Sequence, residues 1–439
     1  MTPTPSPALP DAYRAVWRWH FYAGLIVMPV LMLMALSGGL YLYKPEIEAA
    51  AYRPYDRVQA AAPLTSPDRW QAAAEAEAGA PAVSVFVPAR PDRAVQVKAG
   101  DATIFVDPYT AQVTGRVAGD GPMGVVKRLH SLELLGRPFN ILVEIVAGWA
   151  IILAATGLYL WWPRGQGVAV AAPRPGDPRR RPFWRDLHAV TGLYVGGVVL
   201  FLAVTGMPWS AVWGDRVQTW INASGLGRPP APAAASPWSH GKGHDKPTGV
   251  GWTLEGAVLH AHGHGPDASP ARLSTVIATV RAQGLAAPYT VSIPDDPTLA
   301  YTVARSVEKA EDARSLYVDG RTGAVKADLR WDQFGPGARA FEWGIAVHQG
   351  LQYGGINRLV MLLGCIGVWV LGISGLAMWW IRRPRRGGLG APPAPPGPRA
   401  RAAVLGIVLP LAVLYPLTGL SLIAALVVER VAGRLKRLR

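Results

Sequence analysis

Five stretches of this chain stay apolar for about the thickness of a bilayer: residues 21–43, 139–162, 190–213, 357–381 and 402–428. A helix needs ~20 apolar residues to cross the hydrocarbon core. In lipid a helix also satisfies its own backbone polar groups, so these runs are expected to be membrane-spanning helices. Only 17% of the 439 residues are charged, against about a quarter in ordinary soluble domains. The net charge of +15 does not point to nucleic acid. The basic residues gather at the ends of the apolar runs, as they do in membrane proteins, and a nucleic-acid partner is set aside.

The arginines orient the runs. Linker 163–189 carries Arg164, Arg174, Arg179, Arg180, Arg181 and Arg185 against Asp177 and Asp186. Linker 382–401 carries Arg382, Arg383, Arg385, Arg386, Arg399 and Arg401 and no acid, and Arg14 and Arg18 precede the first run. The positive-inside rule puts these pieces in the cytoplasm and makes the long segments 44–138 and 214–356 external, in a periplasm. The first run has no A-x-A cleavage site, so it reads as a retained anchor of an inner (cytoplasmic) membrane protein. The basic tail after 428 opposes this scheme, and Pro410 and Pro416 interrupt the last run. That run kinks, or re-enters and returns.

The chain also repeats itself. His20 precedes Ser37-Gly38 by 17 residues, and His188 precedes Thr205-Gly206 by the same 17. His130 precedes Thr156-Gly157 by 26, and His348 precedes Ser374-Gly375 by 26. The pairs Trp161-Trp162 and Trp379-Trp380 follow at one offset and read as an aromatic belt. The external segments match too, Phe105-Val106-Asp107-Pro108 with Tyr317-Val318-Asp319-Gly320. Each has a helix-like stretch (67–79, 271–284), earlier strands near 82–87, 93–98, 289–293 and 300–305, and a strand–turn–strand end. The expected architecture is a polytopic α-helical membrane protein. It has a duplicated four-helix core, a fifth C-terminal hydrophobic helix (402–439 with its basic tail) and two small α+β external domains.

The repeat places two histidines at each membrane face: His20 and His188 at the starts of spans one and three, and His130 and His348 before spans two and four. Paired imidazoles from facing helices are a haem-iron ligand set. Two haem b groups are therefore expected, one near each face. Gly24 and Gly192, one turn along from His20 and His188, would leave room for a flat macrocycle. Covalent haem is excluded because the only cysteine is Cys365 and no CxxCH exists. The bland reading, interfacial anchors, competes for any one histidine and loses force when four repeat.

Other residues carry weaker signals. His260, His262 and His264, with His240 and His244, form a metal-binding-like tract in the second external segment. The first segment has no counterpart. Glu144 lies within span two near its external end, where water is in reach, and an intramembrane acid invites a proton or quinol role. Span four has Leu362 at that offset. Met28 and Met207 read as packing. Gly119-x-Gly121-x-x-Gly124 reads as a turn, because no βαβ unit surrounds it. The cytoplasmic linkers are too short for a nucleotide-binding domain, so electrons must come from quinol or a cytoplasmic flavoprotein.

Certain motifs resemble a known family. They are Trp19-His20-x3-Gly24-Leu25, Leu129-His130, Thr156-Gly157-Leu158 through Trp161-Trp162-Pro163, Leu187-His188-x3-Gly192 and His348-Gln349-Gly350, with the strands around Val106-Asp107-Pro108 and Val318-Asp319-Gly320. Together they resemble the PepSY-associated transmembrane family, which includes iron-regulated membrane proteins and ferric-siderophore reductases. The resemblance implies PepSY-like external domains and di-haem electron transfer. It also implies reduction of ferric siderophore, or of another periplasmic acceptor, as an oxidoreductase activity. The alternative is a non-redox membrane protein that binds a partner, peptide or metal through its external domains and histidine tract.

Overall fold

The computed structural model describes residues 11–136, 139–162, 172, 176–227, 271–295 and 299–383, then 402, 405–406, 409–410 and 412–437. The histidine tract 240–264 and most of the two arginine-rich linkers, 163–189 and 382–401, lie outside the described residues. In chain order the helices are α1 (Asp11–Tyr41), α2 (Lys44–Ala51), α3 (Arg53–Asp56), α4 (Pro67–Ala78), α5 (Gly121–His130), α6 (Asn140–Trp161), α7 (Arg181–Gly206), α8 (Trp213–Ala223), α9 (Leu273–Ala282), α10 (Pro336–His348), α11 (Gly354–Arg382) and α12 (Pro416–Arg437). The chain divides into two compact units: residues 1–42, 127–217 and 356–439, and residues 43–126 with 218–355.

The first unit is helical. Among the described residues, four of its helices are long and apolar enough to cross a membrane: α1, α6, α11, and α7 with the short 3-10 turn that extends it to Trp209. Helices α1 and α7 begin about a span's margin earlier than their apolar runs. Asp11 sits in the first turn of α1, where an acid suits the positive end of the helix dipole. Pro182 opens α7, where its missing N–H costs nothing. His20 and His188 therefore lie inside helices rather than at their starts. Small residues let the helices approach. Gly364 and Gly367 of α11 face Val198 and Val195 of α7, and a Cβ at either would stand 2.6 or 2.5 Å from a valine methyl.

Helix α6 is packed by α1, α7 and α12. Trp149 stacks on Trp19 at 6.4 Å and donates its indole N–H to Ser421 Oγ at 2.9 Å. The fifth run differs from a simple span. The chain bends at Tyr415 and restarts at Pro416, and the apolar part of α12, Pro416–Val428, is shorter than a crossing helix. The prolines account for the break, since Pro removes a helical N–H and clashes with the preceding turn.

The second unit is built on one antiparallel sheet of eight strands: β1 (Ala82–Val87), β2 (Val95–Ala99), β3 (Ala102–Val106), β4 (Val113–Ala118), β5 (Tyr289–Ser292), β6 (Tyr301–Arg305), β7 (Arg314–Val318) and β8 (Val325–Arg330). Their order is β4-β3-β2-β1-β5-β6-β7-β8. The elements of each external segment appear as expected, but the two segments are not separate domains. Strand β1 pairs with β5 from Ser84↔Ser292 to Val87↔Tyr289 and fuses the halves. Helices α4 and α9 cover one face over a single apolar core that includes Trp70, Val85, Ile104, Ile277, Val291 and Leu316. The Asp68 carboxylate of α4 accepts the backbone N–H of Ser274 in α9 at 2.9 Å and binds its hydroxyl too.

The repeat holds in detail. Irregular register falls at Phe105/Val106 and again at Tyr317/Val318. Asp107 accepts the N–H of Tyr109, and Asp319 that of Arg321, at 2.8 and 2.9 Å. Ala111 and Gly323 both take left-handed φ, 60° and 73°. A glycine is free to do so and an alanine is not. The bulge and turn geometry therefore overrides residue preference at Ala111.

Candidate functional site

Helices α1 and α6 run antiparallel, as do α7 and α11, and that brings His20 and His188 each against a Ser/Thr-Gly pair of the partner span. His20 Nδ1 lies 2.9 Å from Thr156 Oγ1. His188 Nδ1 lies 3.1 Å from Ser374 Oγ and 3.1 Å from the Leu371 carbonyl. At the other end of α1, His130 Nδ1 lies 3.1 Å from Ser37 Oγ and 3.0 Å from the Met34 carbonyl. Seventeen residues of helix separate the two levels along α1, roughly 25 Å at 1.5 Å per residue.

The glycine of each pair lies under the ring. A Cβ at Gly157 would stand 3.4 Å from His20 Cε1, one at Gly375 would stand 3.8 Å from His188 Cε1, and one at Gly38 would stand 3.3 Å from His130 Cε1. These small residues let an imidazole rest on helix backbone. The glycines on the histidine helices do something else. Gly24 faces Leu153 at 4.0 Å and Gly192 faces Leu371 at 3.7 Å. They meet leucines of the partner spans at ordinary contact distance.

His20 and His188 face each other. Their ring centres are 6.3 Å apart and their planes cross at 90°. An imidazole nitrogen sits ~2 Å from a bound metal ion and its ring centre about 1 Å farther back, so two imidazoles sharing one ion place their ring centres ~6 Å apart. Among the described residues no three His, Cys, Asp or Glu come together as a metal site. A pair of imidazoles suits an ion that arrives with its other ligands already attached, as haem iron does. The donor set and its spacing therefore fit haem.

His130 ends α5, and burial holds its imidazole below the ordinary pKa, against the Met34 carbonyl that works the other way. It is kept neutral, as a metal-ligating histidine must be. His348 ends α10, in the other unit. His260, His262 and His264 lie outside the described residues.

Glu144 is not in reach of water from within the protein. It is fully buried, and its Oε2 accepts the backbone N–H groups of Val212 and Trp213 at 3.1 and 3.0 Å. It caps the entry to α8, where unsatisfied amides and the helix dipole favour an anion. Met207 is buried as packing, 1% exposed. The glycine-rich stretch is the turn between β4 and α5, with Gly119 and Gly121 at φ 60° and 65°.

Sequence reasoning used Ser37, Thr156 and Ser374 as landmarks and missed their contact with the imidazoles. The fixed offsets of 17 and 26 residues were the signal. Residues 17–382 match the family model described as the PepSY-associated TM region. No curated protein matches the chain.

Proposed function

On the premise that this chain belongs to the PepSY-associated transmembrane family, we propose that it is a di-haem electron carrier of a bacterial inner membrane. It takes electrons from quinol or a cytoplasmic flavoprotein and reduces ferric siderophore at the periplasmic face. The single observation that supports this most is the facing of His20 and His188 at 6.3 Å between ring centres. Each haem b, when bound, supplies one-electron chemistry, which the protein's own side chains lack.

His20 of α1 and His188 of α7 are the ligands toward the arginine-rich ends of the spans. His130 and His348 are the second pair, supported by the repeat and by the Ser37 contact that His130 shares in kind with the other two. The apolar walls of the four spans surround His20 and His188. The external sheet unit is assigned to docking the acceptor. Siderophore oxygens prefer Fe(III), so one electron delivered to the bound iron loosens it without any protein nucleophile.

The test is a reduced-minus-oxidised visible spectrum of the detergent-purified protein with haem counted per chain. Two b-type haems are expected, with one remaining after His348→Ala and reduction of a ferric siderophore abolished. A colourless protein, expressed with ample haem, would sink this reading. It would favour partner or metal binding through the external domains and His260, His262 and His264.

A further inference from the structure

We propose that Thr156, Ser374 and Ser37 are positioning residues that fix the tautomer of His20, His188 and His130, so that each imidazole presents an unprotonated Nε2. The inference rests on the haem-ligand reading above for its purpose. The tautomers themselves follow from the geometry of the protein alone.

A hydroxyl has one proton to give. Thr156 Oγ1 gives its proton to the Ile152 carbonyl at 2.6 Å, Ser374 Oγ to the Val370 carbonyl at 2.6 Å, and Ser37 Oγ to the Leu33 carbonyl at 2.9 Å. These are bonds to the carbonyl four residues back, a habit of Ser and Thr in helices. With the proton committed, each hydroxyl turns a lone pair toward the imidazole, so Nδ1 must be the donor. For His188 and His130 a second acceptor gives the same answer. The Leu371 carbonyl at 3.1 Å and the Met34 carbonyl at 3.0 Å can only accept. Nδ1 therefore carries the hydrogen, and the lone pair is left on Nε2.

The neighbouring glycine completes the device. Gly38 is the tightest of the three: a Cβ there would stand 3.3 Å from His130 Cε1 and push the ring by a few tenths of an ångström, whereas at Gly157 and Gly375 a Cβ would make ordinary contact at 3.4 and 3.8 Å. The Ser/Thr-Gly pair is thus one unit, a hydroxyl that takes the Nδ1 proton beside a flat seat for the ring. Thr205 starts the fourth pair and is prepared in the same way, donating to the Phe201 carbonyl at 2.7 Å. An Nδ1–H held by an acceptor makes the opposite nitrogen a stronger ligand.

The three sites are not equal. His20 Nδ1 has only the Thr156 hydroxyl as acceptor among the described residues, whereas His188 and His130 each have a hydroxyl and a carbonyl. Removing one hydroxyl should free His20 and leave His188 held.

The experiment uses the full chain labelled with 15N-histidine, with and without haem. Solid-state NMR reads the tautomers, and titration with haem and a redox titration read the ligand strength. Wild type should show Nδ1–H at His20, His130 and His188. Thr156→Val should give mixed tautomers at His20, about 10- to 100-fold weaker haem binding at that site, and a higher midpoint potential for one haem. Thr156→Ser should restore all three readings. Ser374→Ala should keep the His188 tautomer and change affinity less. A Thr156→Val protein whose His20 tautomer matches wild type in the haem-free state would overturn the proposal. So would an equal tautomer loss in Ser374→Ala. If wild type binds no haem, the functional reading falls, and the haem-free spectra still decide this one.

Discussion

Helices α6 and α11 are copies of one another by position, and they differ where the repeat does not need them alike. Both carry the Ser/Thr-Gly pair that seats a histidine. Fourteen residues past its histidine, α6 has Glu144 and α11 has Leu362, and four residues further α6 has Gly148 and α11 has Ile366. Glu144 is fully buried and caps α8 through Val212 and Trp213, and Trp213 packs on Tyr415 at 5.2 Å. Gly148 lies under Thr418 of α12, where a Cβ would collide with the threonine. Ile366 is 49% exposed. Helix α12 thus covers the face of α6 that its counterpart leaves open. What the copies share serves the histidines, and what only α6 has serves the α8 turn through Glu144 and the C-terminal helix through Gly148. An acid in the membrane is here a cap for a neighbouring turn, a role the intramembrane position by itself does not reveal.

That division makes testable claims. The shared part should have the largest effect: His20→Ala and His188→Ala should each leave one haem where wild type binds two, counted by pyridine haemochrome. Next comes Glu144→Leu, which makes α6 resemble α11 and leaves the Val212 and Trp213 amides without their acceptor. It should lower stability by about 1–3 kcal/mol, seen as earlier thermal unfolding in detergent, with haem stoichiometry unchanged. Loss of haem in Glu144→Leu with stability intact would instead put Glu144 with the redox machinery. Gly148→Ile should cost about 1–3 kcal/mol through overpacking and expose 409–437 to protease, because α12 loses its seat. Smallest of all, Ile366→Ala on α11 should stay within ~0.5 kcal/mol. Equal effects of Gly148→Ile and Ile366→Ala would erase the contrast between the two helices.

Much of this was legible in the residues. Four apolar spans, the doubled histidines and the strand limits of both halves of the sheet follow from apolar run length, fixed offsets and two-residue alternation. The fusion of the halves was not. Alternation says which face of β1 is buried, and it says nothing about which edge β5 will join, because backbone pairing carries no side-chain signature. The hydroxyl–imidazole contacts were hidden for a related reason. Offsets of 17 and 26 residues mark Ser37, Thr156 and Ser374 as special, but only antiparallel packing of two helices shows what they touch. Glu144 was placed in reach of water because linear distance from a span end ignores what packs beside it. The last helix was blurred by Pro410 and Pro416, which show where a helix breaks without showing how the chain resumes.

The seam between β1 and β5 has a consequence for how the molecule is made. The strands are about 200 residues apart in the chain, with two membrane helices between them. At ~5–20 residues per second a ribosome needs roughly 10–40 s to cover that interval. Throughout it, β1 waits with one edge unpaired, the kind of edge that recruits foreign strands. The nascent first half is therefore a half-built sheet, and the slower a cell makes this protein, the longer it must shield that edge. Slowing synthesis between residues 87 and 289 should raise the yield lost to aggregation, and supplying a holding chaperone on that side of the membrane should recover it.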